Sequence, residues 1–399
     1  MEIRKLRPEE NVHRVLMGSI CFGQSDAADR YAMLEKPEDH TDGYDEAWGA
    51  FDDDGRLISA MQVTPAQMMM YGKAVKVGLI CGVTTLPEAR NGRCVRKMFD
   101  IIMPLMRDEG MVFSVLYPFS FPFYRKFGYE HAYVRQRATF PIGELEKYPY
   151  PDGVKVHDKG GPYEDFAKVY EAFAKDKNLA MVRGKDEWEK LLKRDPHQNR
   201  EFTYIHYNQA KEPDGYILYD RIAKGVEGPF LMKIRELAWT DKAGLYAMLG
   251  FIHGMRSEYE DISWAVPDGT DVFGLVESPW SVSISLDSMI MNRVMDVPAA
   301  ISLMEAPLGA GSAVIGVTDA FMPENTGAYR IAWENGNLTV EKTTQAPDME
   351  MDIETLAQLV IGFTTPTQAS NRKAVTIHGN MDKLTALFPP RNLYLMEHF

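Results

Sequence analysis

The sequence is poor in cysteine and has no long apolar run. Its 399 residues include only Cys21, Cys81 and Cys94, without paired spacing. A disulfide framework or a thiolate metal site is therefore not expected. No run of eighteen apolar residues occurs, so we expect no membrane-spanning segment. The stretch MEIRKLRPEE is charged from its second residue, which predicts no signal peptide and a cytoplasmic location.

Basic residues are also in deficit. The chain has 44 Lys and Arg residues against 57 Asp and Glu residues, a net charge of −13. Nucleic acid is not an expected partner, because such binders neutralise phosphates with Lys and Arg. The histidines show no H-x-x-x-H spacing, so no metal site is predicted. The 45% apolar and 25% charged residues are typical of a globular protein, and the length predicts two or three domains.

The first 145 residues alternate between strand and helix signals, which predicts a mixed α/β domain. The predicted elements are a strand at 2–6, a helix at 8–23, a hairpin turning at Asp54-Gly55, a hairpin turning at Tyr71–Lys73, a strand at 74–86, a helix ending near 108, a strand at 111–119 and a short helix within 122–130. The strand at 74–86 contains Gly78 and Gly82, and interior glycines mark a bulge or a close ligand approach.

Two further domains follow a Pro- and Gly-rich linker at 147–153. The central part, 148–286, has helix, hairpin, strand and helix signals in an order that loosely echoes the first domain. A degenerate duplication and an unrelated domain fit this order equally well. The last part, 287–399, contains strand and helix signals of a separate α+β module. The predicted ranges are therefore 1–147, 148–286 and 287–399.

One strand-to-helix junction has the pattern of a phosphate site. In VTTLPEARNGRCVRKMF, residues 83–99, a strand ends, a turn with one glycine follows, and an amphipathic helix begins. Free N–H groups and the positive end of the helix dipole converge at such a junction. Arg90, Arg93 and Arg96 add positive charge that suits a diphosphate. A plain turn with solvated arginines fits the same pattern equally well.

Three stretches carry a family resemblance. Residues 83–99 resemble motif A of the GNAT-type N-acetyltransferases, R/Q-x-x-G-x-G/A, which holds the pyrophosphate of acetyl-CoA. FYRKFGYE, residues 123–130, resembles the family helix whose tyrosine lies near the CoA sulfur. PDMEMDIETLAQLVIG and the final LFPPRNLYLMEHF resemble the sterol-carrier-like module of the enhanced intracellular survival (Eis) subfamily. The resemblance implies two acetyltransferase-like domains, the second degenerate, followed by a sterol-carrier-like α+β domain.

The resemblance implies seven residues that bind acetyl-CoA. Strand backbone would hold the pantetheine arm, and the turn would hold the pyrophosphate; these residues are Val83, Thr85, Arg90, Asn91, Gly92, Arg93 and Cys94. The sequence departs from the motif at one place. With Arg90 as the leading arginine, the first motif glycine falls on Arg93, and Gly92 stands one place early. A side chain at position 93 that pointed at the diphosphate would weaken the site.

The resemblance also implies the catalytic groups. Tyr124 would be the general acid that protonates the departing thiolate, since a tyrosine stays protonated at neutral pH. The carboxylate of Phe399, reaching across from the third domain, would be the general base. A buried aromatic cluster around Tyr124 and a packing anchor at Phe399 are the plain structural alternatives.

The expected function is acetyl-CoA-dependent N-acetylation of a primary amine by direct attack in a ternary complex, without a metal. The family implies an aminoglycoside-like or lysine-type acceptor in an acidic pocket, to which Asp26, Asp29, Glu35 and Glu38 would contribute. It also implies a homo-oligomer, with a hexamer as the expected state. The alternative is a non-catalytic ligand-binding or scaffolding protein on a retired acetyltransferase fold. Arg93 in place of the motif glycine supports that alternative.

Overall fold

A computed structural model describes residues 1–23, 33–36, 43, 45–225 and 228–399. Two β-sheets, with helices packed on them, make up the described part of the chain. The strands are β1 (Glu2–Lys5), β2 (Ala47–Phe51), β3 (Leu57–Met70), β4 (Lys73–Thr85), β5 (Phe113–Leu116), β6 (Glu130–Pro141), β7 (Val154–Val156), β8 (Glu201–Tyr207), β9 (Pro213–Ala223), β10 (Phe230–Trp239), β11 (Tyr259–Val266), β12 (Ser283–Val294), β13 (Gly311–Thr318), β14 (Gly327–Glu334), β15 (Asn337–Thr343), β16 (Met349–Asp352) and β17 (Thr376–Ile377).

The α-helices accompany both sheets and confirm the predicted mixed α/β class. They are α1 (Asn11–Phe22), α2 (Cys94–Asp108), α3 (Phe121–Arg125), α4 (Glu164–Ala174), α5 (Lys185–Leu191), α6 (Lys242–Gly254), α7 (Val272–Leu275), α8 (Val297–Ser302), α9 (Ile353–Ile361), α10 (Pro366–Ala369) and α11 (Met381–Leu387). Of the helices in the described ranges, none has the length and apolar content that a membrane crossing requires.

The larger sheet joins the first two parts of the chain into one continuous ladder. Its strand order is β1-β2-β3-β4-β5-β12-β6-β11-β10-β9-β8-β7. β4 pairs in parallel with β5, and β10 pairs in parallel with β11 in the same relative place. β12 lies beside β5 of the first half, whereas β6 lies beside β11 of the second half. The two halves therefore repeat one arrangement and exchange their last strands.

The exchanged strands, β6 and β12, are two elements for which no strand was predicted. β6 and β12 pair with each other in an antiparallel ladder. At one end Thr139 of β6 lies opposite Ser283 of β12, and at the other end Glu130 lies opposite Asn292. β12 also crosses the predicted domain boundary between residues 286 and 287. Local turn signals were more informative: Gly55 and the Tyr71-Gly72 pair lie at the two predicted hairpin turns with positive φ, as tight hairpins require.

The C-terminal unit, from α8 to residue 399, packs on one face of the first half of the large sheet, which contains β1 to β5. Helix α2 packs on the other face. Leu79 and Val115 share a core cluster with Leu356 and Ile361 of α9. On the opposite face, Ile80 and Leu116 share a cluster with Met98 and Phe99 of α2. The smaller sheet, in the order β15-β14-β13-β16-β17, completes the C-terminal unit. The strands that surround the candidate site are thus held from both sides.

A buried ion pair ties β12 to the C-terminal unit. The Arg293 guanidinium donates to Asp319 at 2.6 Å, and the two side chains are 0% and 1% exposed. Arg293 also donates to the carbonyl of Phe127. Gly128, with φ 78°, is required here because a Cβ would lie 1.6 Å from the Arg293 Nη1 atom. Gly128 therefore serves both the turn after α3 and the ion pair.

Removing one partner of this pair should destabilise the fold strongly. Arg293→Met keeps most of the side-chain volume but leaves the Asp319 carboxylate buried without its cation, which we expect to cost about 3–5 kcal/mol. Chemical denaturation followed by circular dichroism measures this loss. Arg330→Gln, which breaks the exposed pair with Glu341, should change the free energy of unfolding by less than about 1 kcal/mol. Equal losses in the two variants would contradict the assignment.

Candidate active site

Strands β4 and β5 separate at their carboxyl ends. Their parallel pairing stops at Ile80 and Leu116, although β4 continues to Thr85 along β3. β5 ends at Leu116, two residues before Pro118, which has no N–H group to extend a ladder. The backbone of residues 81–85 therefore borders an opening on the side where β5 has left the sheet. Val83 and Thr85, both predicted to bind the pantetheine arm, lie on this stretch.

A β-bulge changes the direction of the β4 backbone at the same place. Two β4 residues, Gly82 and Val83, lie opposite the single residue Met61 of β3. Gly82 has φ 55°, a conformation that glycine adopts without a steric penalty. A bulge increases the local twist and turns the backbone away from regular pairing. The bulge that the interior glycine predicted is confirmed, and it lies at the edge of the opening.

The predicted phosphate turn lies between β4 and α2. A 3₁₀ helix, Pro87–Ala89, leads into Arg90, and α2 begins at Cys94. Arg90, Asn91 and Gly92 are exposed. No side chain caps the start of α2, and the amide groups of Cys94 and Val95 find no acceptor among the described residues. The turn therefore presents free N–H groups and the positive end of a 15-residue helix.

Arg93 occupies the left-handed conformation for which glycine is suited. Its φ is 57° and its ψ is 26°, and Asn91 also has a positive φ of 70°. The Arg93 side chain is exposed and hydrogen-bonds to no described residue. Counted from Arg90, the closing small residue of the motif falls on Val95, which is the second residue of α2 and is buried. The departures thus concern side-chain size, whereas the backbone keeps the shape of a glycine turn.

Cys94, the first residue of α2, faces the core. It is 4% exposed and belongs to the same cluster as Tyr124. Burial raises the pKa of the Cys94 thiol, which therefore stays protonated at neutral pH. This protonation state agrees with a role in the turn backbone and gives no support for a nucleophile.

Tyr124 is held in α3 by an aromatic cluster. Its side chain is 2% exposed, and its ring contacts Phe119 and Phe123 edge-on at 5.4 and 5.1 Å between centroids. Its hydroxyl forms no hydrogen bond with the described residues. Burial, and then the neighbouring Tyr129, raises the pKa of Tyr124 well above its usual value. The hydroxyl is therefore protonated and uncommitted, as a hydrogen-bond donor to a ligand must be.

The C-terminal segment, residues 395–399, contacts the first half of the large sheet at Tyr117, directly after β5. The Phe399 ring lies 5.0 Å from the Tyr117 ring, and the His398 ring stacks on it at 4.4 Å. The Tyr117 hydroxyl donates to the carbonyl of Glu397 at 2.5 Å. Burial raises the pKa of Tyr117 to about 12, so this hydroxyl remains a donor. The terminal carboxylate forms no ion pair with the described residues.

A buried charge network fixes the same segment from the second half. The Arg183 side chain, 2% exposed, donates to both Glu236 oxygens at 2.8 and 2.6 Å and to Glu397 at 2.6 Å. Tyr216 donates to Glu236 as well. Although burial opposes ionisation, Arg183 keeps the pKa of Glu236 below its usual range. Two residues before the terminus, the chain is thus anchored by a fully paired arginine.

Phe399 lines a cleft of about 970 Å³ between the two halves of the large sheet and the C-terminal segment. The cleft walls come from β3 and β4, from β6 and β10, from α5 and the segment before it, and from residues 396–399. Tyr124 is not part of this lining. It belongs to the cluster on the opposite face of the sheet, with Cys94, whereas Tyr117 and Phe399 pack against the cluster on the other face. Asp26, Asp29 and Glu38 lie outside the described residues, and Glu35 is exposed.

The sequence analysis missed Tyr117, Arg183 and Glu236. Tyr117 stands in the same aromatic run as Tyr124 and could have been singled out for its position at the strand end. No local signal marks Arg183 or Glu236, because a lone charged residue in a strand or loop reads as solvated. Their role depends on burial, which only the folded arrangement provides.

Arg93→Gly should stabilise the protein, because a left-handed conformation costs an L-residue about 1–2 kcal/mol that glycine avoids. We expect the free energy of unfolding to rise by about 1 kcal/mol. Arg93→Ala separates strain from charge and should give no comparable gain. Arg96→Gly, in the first turn of α2, should lower stability instead, since glycine is a poor helix former. Thermal denaturation measures all three, and a loss of stability in Arg93→Gly would contradict the strain.

Family models match almost the whole chain. Residues 2–132 match an acetyltransferase (GNAT) domain, residues 179–294 match a second acetyltransferase (GNAT) domain, and residues 297–396 match a sterol carrier protein domain. A search of the curated proteins gives no match.

Solved structures share the fold over the full length. A GCN5-related N-acetyltransferase from Anabaena variabilis ATCC 29413 superimposes with a TM-score of 0.84 at 20% identity, covering 100% of both chains. A probable N-acyltransferase from Enterococcus faecalis V583 gives 0.82 at 21% identity, covering 98% of this chain and 97% of the other. Eis1 from Mycobacterium abscessus gives 0.83 at 18% identity, covering 100% of both chains.

These matches cover both halves of the large sheet and the C-terminal unit, and the first GNAT match, residues 2–132, includes the opening at β4, the bulge and the uncapped start of α2. The duplication that the sequence left open is therefore present. The chain is an acetyltransferase of the GNAT type, with two GNAT domains followed by a sterol carrier protein domain.

Proposed function

We propose that the protein transfers an acetyl group from acetyl-CoA to a primary amine by direct attack in a ternary complex. The observation that carries this proposal is the separation of β4 from β5 beside an uncapped helix start, with a chain terminus entering a cleft nearby. The acceptor is an aminoglycoside-like or lysine-type amine. The domain ranges 1–147, 148–286 and 287–399, a cytoplasmic location and a homo-oligomer, with the hexamer as its proposed state, complete the proposal.

The first half has the features that acetyl-CoA requires. The free backbone at Val83 and Thr85 would extend the sheet with the amide groups of the pantetheine arm. The turn from Arg90 to Cys94 would hold the pyrophosphate with amide N–H groups and the helix dipole. The exposed Arg93 can swing away from a diphosphate or pair with one of its oxygens. Bound acetyl-CoA would supply the thioester that acylates the amine.

Tyr124 would stabilise the departing sulfur. As the amine forms the C–N bond and the C–S bond breaks, negative charge develops on the sulfur, and a hydroxyl donor lowers the energy of that charge. The raised pKa keeps Tyr124 protonated. Complete transfer of its proton to a thiolate would be uphill, because an ordinary thiol has a pKa of about 8.5. Tyr124 therefore acts as general acid chiefly through a strong hydrogen bond.

The terminal carboxylate of Phe399 would take the proton that the attacking amine loses. Phe399 lines the cleft, and no ion pair is seen between its carboxylate and the described residues. Tyr117 and the Arg183 network hold the preceding residues on both sides. A carboxylate with an ordinary pKa of about 3.5 is a weak base, so accurate placement, directly or through a water, must compensate.

Tyr124→Phe should lower turnover with little effect on acetyl-CoA binding. Loss of one catalytic donor reduces the rate roughly 10²- to 10⁴-fold, whereas the ring remains packed against Phe119 and Phe123. A thiol-trapping assay of CoA release over a panel of amines measures turnover, and calorimetric titration measures acetyl-CoA binding. Phe119→Leu, an exposed neighbour, is the control and should retain most activity.

Two outcomes of these measurements count against the proposal. Unchanged turnover in Tyr124→Phe removes Tyr124 from its role. No heat of acetyl-CoA binding to the wild type at millimolar concentration overturns the transferase function itself and favours the scaffolding alternative.

Moving the terminal carboxylate should abolish activity while the fold stays intact. One or more glycines added after Phe399 displace the carboxylate from its place, and we expect at least a hundredfold loss of kcat with unchanged acetyl-CoA affinity. The same glycines added before Met1, whose amino group pairs with the exposed Asp53, are the matched control. Full activity in the C-terminally extended protein would refute the terminal base.

A further inference from the structure

The cleft beside Phe399 carries more positive than negative charge among the described residues. Its lining includes seven cations and, besides the terminal carboxylate of Phe399, three anions; the cations are Lys76, Arg135, Arg137, Arg183, Lys190, Arg194 and Arg235, and the anions are Glu187, Glu236 and Glu397. We propose that the acceptor is an amine that also bears a carboxylate. This inference rests on the proposed transferase function and specifies its substrate class.

Four of the seven cations in the lining already have an ion-pair partner, and one of them is Lys76, which lies 3.9 Å from Glu109. Arg183 is neutralised by Glu236 and Glu397. Arg194 and Arg235 share the Asp220 carboxylate, each at 2.5 Å. The cations in these ion pairs are therefore not available to bind an anionic group of the acceptor.

Two guanidinium groups of β6 have no carboxylate partner within ion-pair distance among the described residues. Arg135 donates to the carbonyl of Leu395 at 3.1 Å, and its Nε atom is buried without an acceptor. Arg137 has only a long contact, 3.5 Å, with the hydroxyl of Ser263. Both side chains are partly buried, where an unpaired charge costs more than it does in water. An anion bound in the cleft would satisfy both groups.

The strand order concentrates these charges. Arg135 and Arg137 point to the same side of β6 because side chains alternate along a strand. β11 separates β6 from β10, which carries Lys233 and Arg235. Burial, and then the charges of Arg235 and Arg137, lowers the pKa of Lys233.

The neighbouring positive charges also affect the pKa of Arg137. Burial, and then the charge of Arg135, lowers the pKa of Arg137, and the carboxylate of Asp287 on β12 opposes this effect. Asp287 is exposed and forms no ion pair with the described residues, so it offsets the cluster only in part. The repulsion that remains among these cations is relieved when an anion binds between them.

A carboxylate matches this arrangement better than other small groups. The planar guanidinium fork donates two parallel hydrogen bonds to the two oxygens of a carboxylate. The amine of the same molecule must reach the terminal carboxylate of Phe399, which lies in the same cleft. A polycation gains nothing from Arg135 and Arg137 and is repelled by them. Of the two acceptor types in the proposed function, a lysine-type molecule with its carboxylate fits, and an aminoglycoside does not.

A matched pair of acceptors tests this inference. Nα-acetyl-L-lysine and Nα-acetyl-L-lysine amide present the same ε-amine and differ in one negative charge. For the wild type we expect kcat/KM, measured by CoA release, to be about tenfold or more higher for the acid, which is the range of one charged hydrogen-bond pair. Spermidine serves as the polycationic acceptor and should be the poorest of the three.

Variants localise the effect. Arg137→Gln should reduce the preference for the acid over the amide by about tenfold, with no change in KM for acetyl-CoA. Arg256→Gln removes an exposed cation outside the cleft lining and should leave the preference unchanged. Circular dichroism confirms that each variant is folded, and the comparison in the wild type needs no variant at all.

The outcomes separate this inference from the proposed function. Acetylation of the amide or of spermidine as fast as the acid overturns the carboxylate acceptor and leaves the transferase function standing. No CoA release with any of the three compounds, together with no acetyl-CoA binding, overturns both. A preference for the acid that Arg137→Gln does not alter overturns the assignment of β6 as the recognition site.

Discussion

The antiparallel pairing of β6 with β12 holds the two acetyltransferase domains together. Each strand completes the domain that is remote from it in sequence, so neither domain can keep its last strand if the two separate. The exchange also places β6 next to β11 and two strands from β10. Arg135 and Arg137 come to lie beside Arg235 for this reason. The second domain has no glycine-rich turn of its own, yet it supplies walls and charges to the site of the first.

Local signals predicted most elements, and non-local pairing explains the ones they missed. Asp54-Gly55 and Tyr71-Gly72 each marked a turn, because Gly55 and Gly72 adopt a positive φ without a steric penalty. β6 and β12 carry mixed polar and apolar residues, and part of β12 is exposed. Their place in the sheet is decided by partners more than a hundred residues away. No local pattern could have revealed that the predicted boundary at 286/287 falls within a strand.

The same distinction applies to the candidate site. The bulge at Gly82 and the turn before α2 were predictable, because a glycine within a strand and a strand-to-helix junction are local features. Arg93 in the left-handed region is not what its residue type predicts. Tyr117, Arg183 and Glu236 gain their roles from burial against the C-terminal segment, which arrives from the far end of the chain. The structure thus adds the parts that position Phe399.

The net charge of −13 favours a cationic acceptor, whereas the basic cleft favours an anionic group. The distance over which each set of charges acts on the acceptor decides between the two. At physiological ionic strength charges are screened over about 8 Å, so the acidic surface acts on approaching ions only weakly and collectively. Within the cleft the guanidinium groups are partly shielded from water and act at hydrogen-bond distance, where each is worth far more. An overall acidic protein can therefore select an anionic group at its site. The acidic surface would still favour the approach of the amine end, and a molecule with a cationic amine and a carboxylate satisfies both.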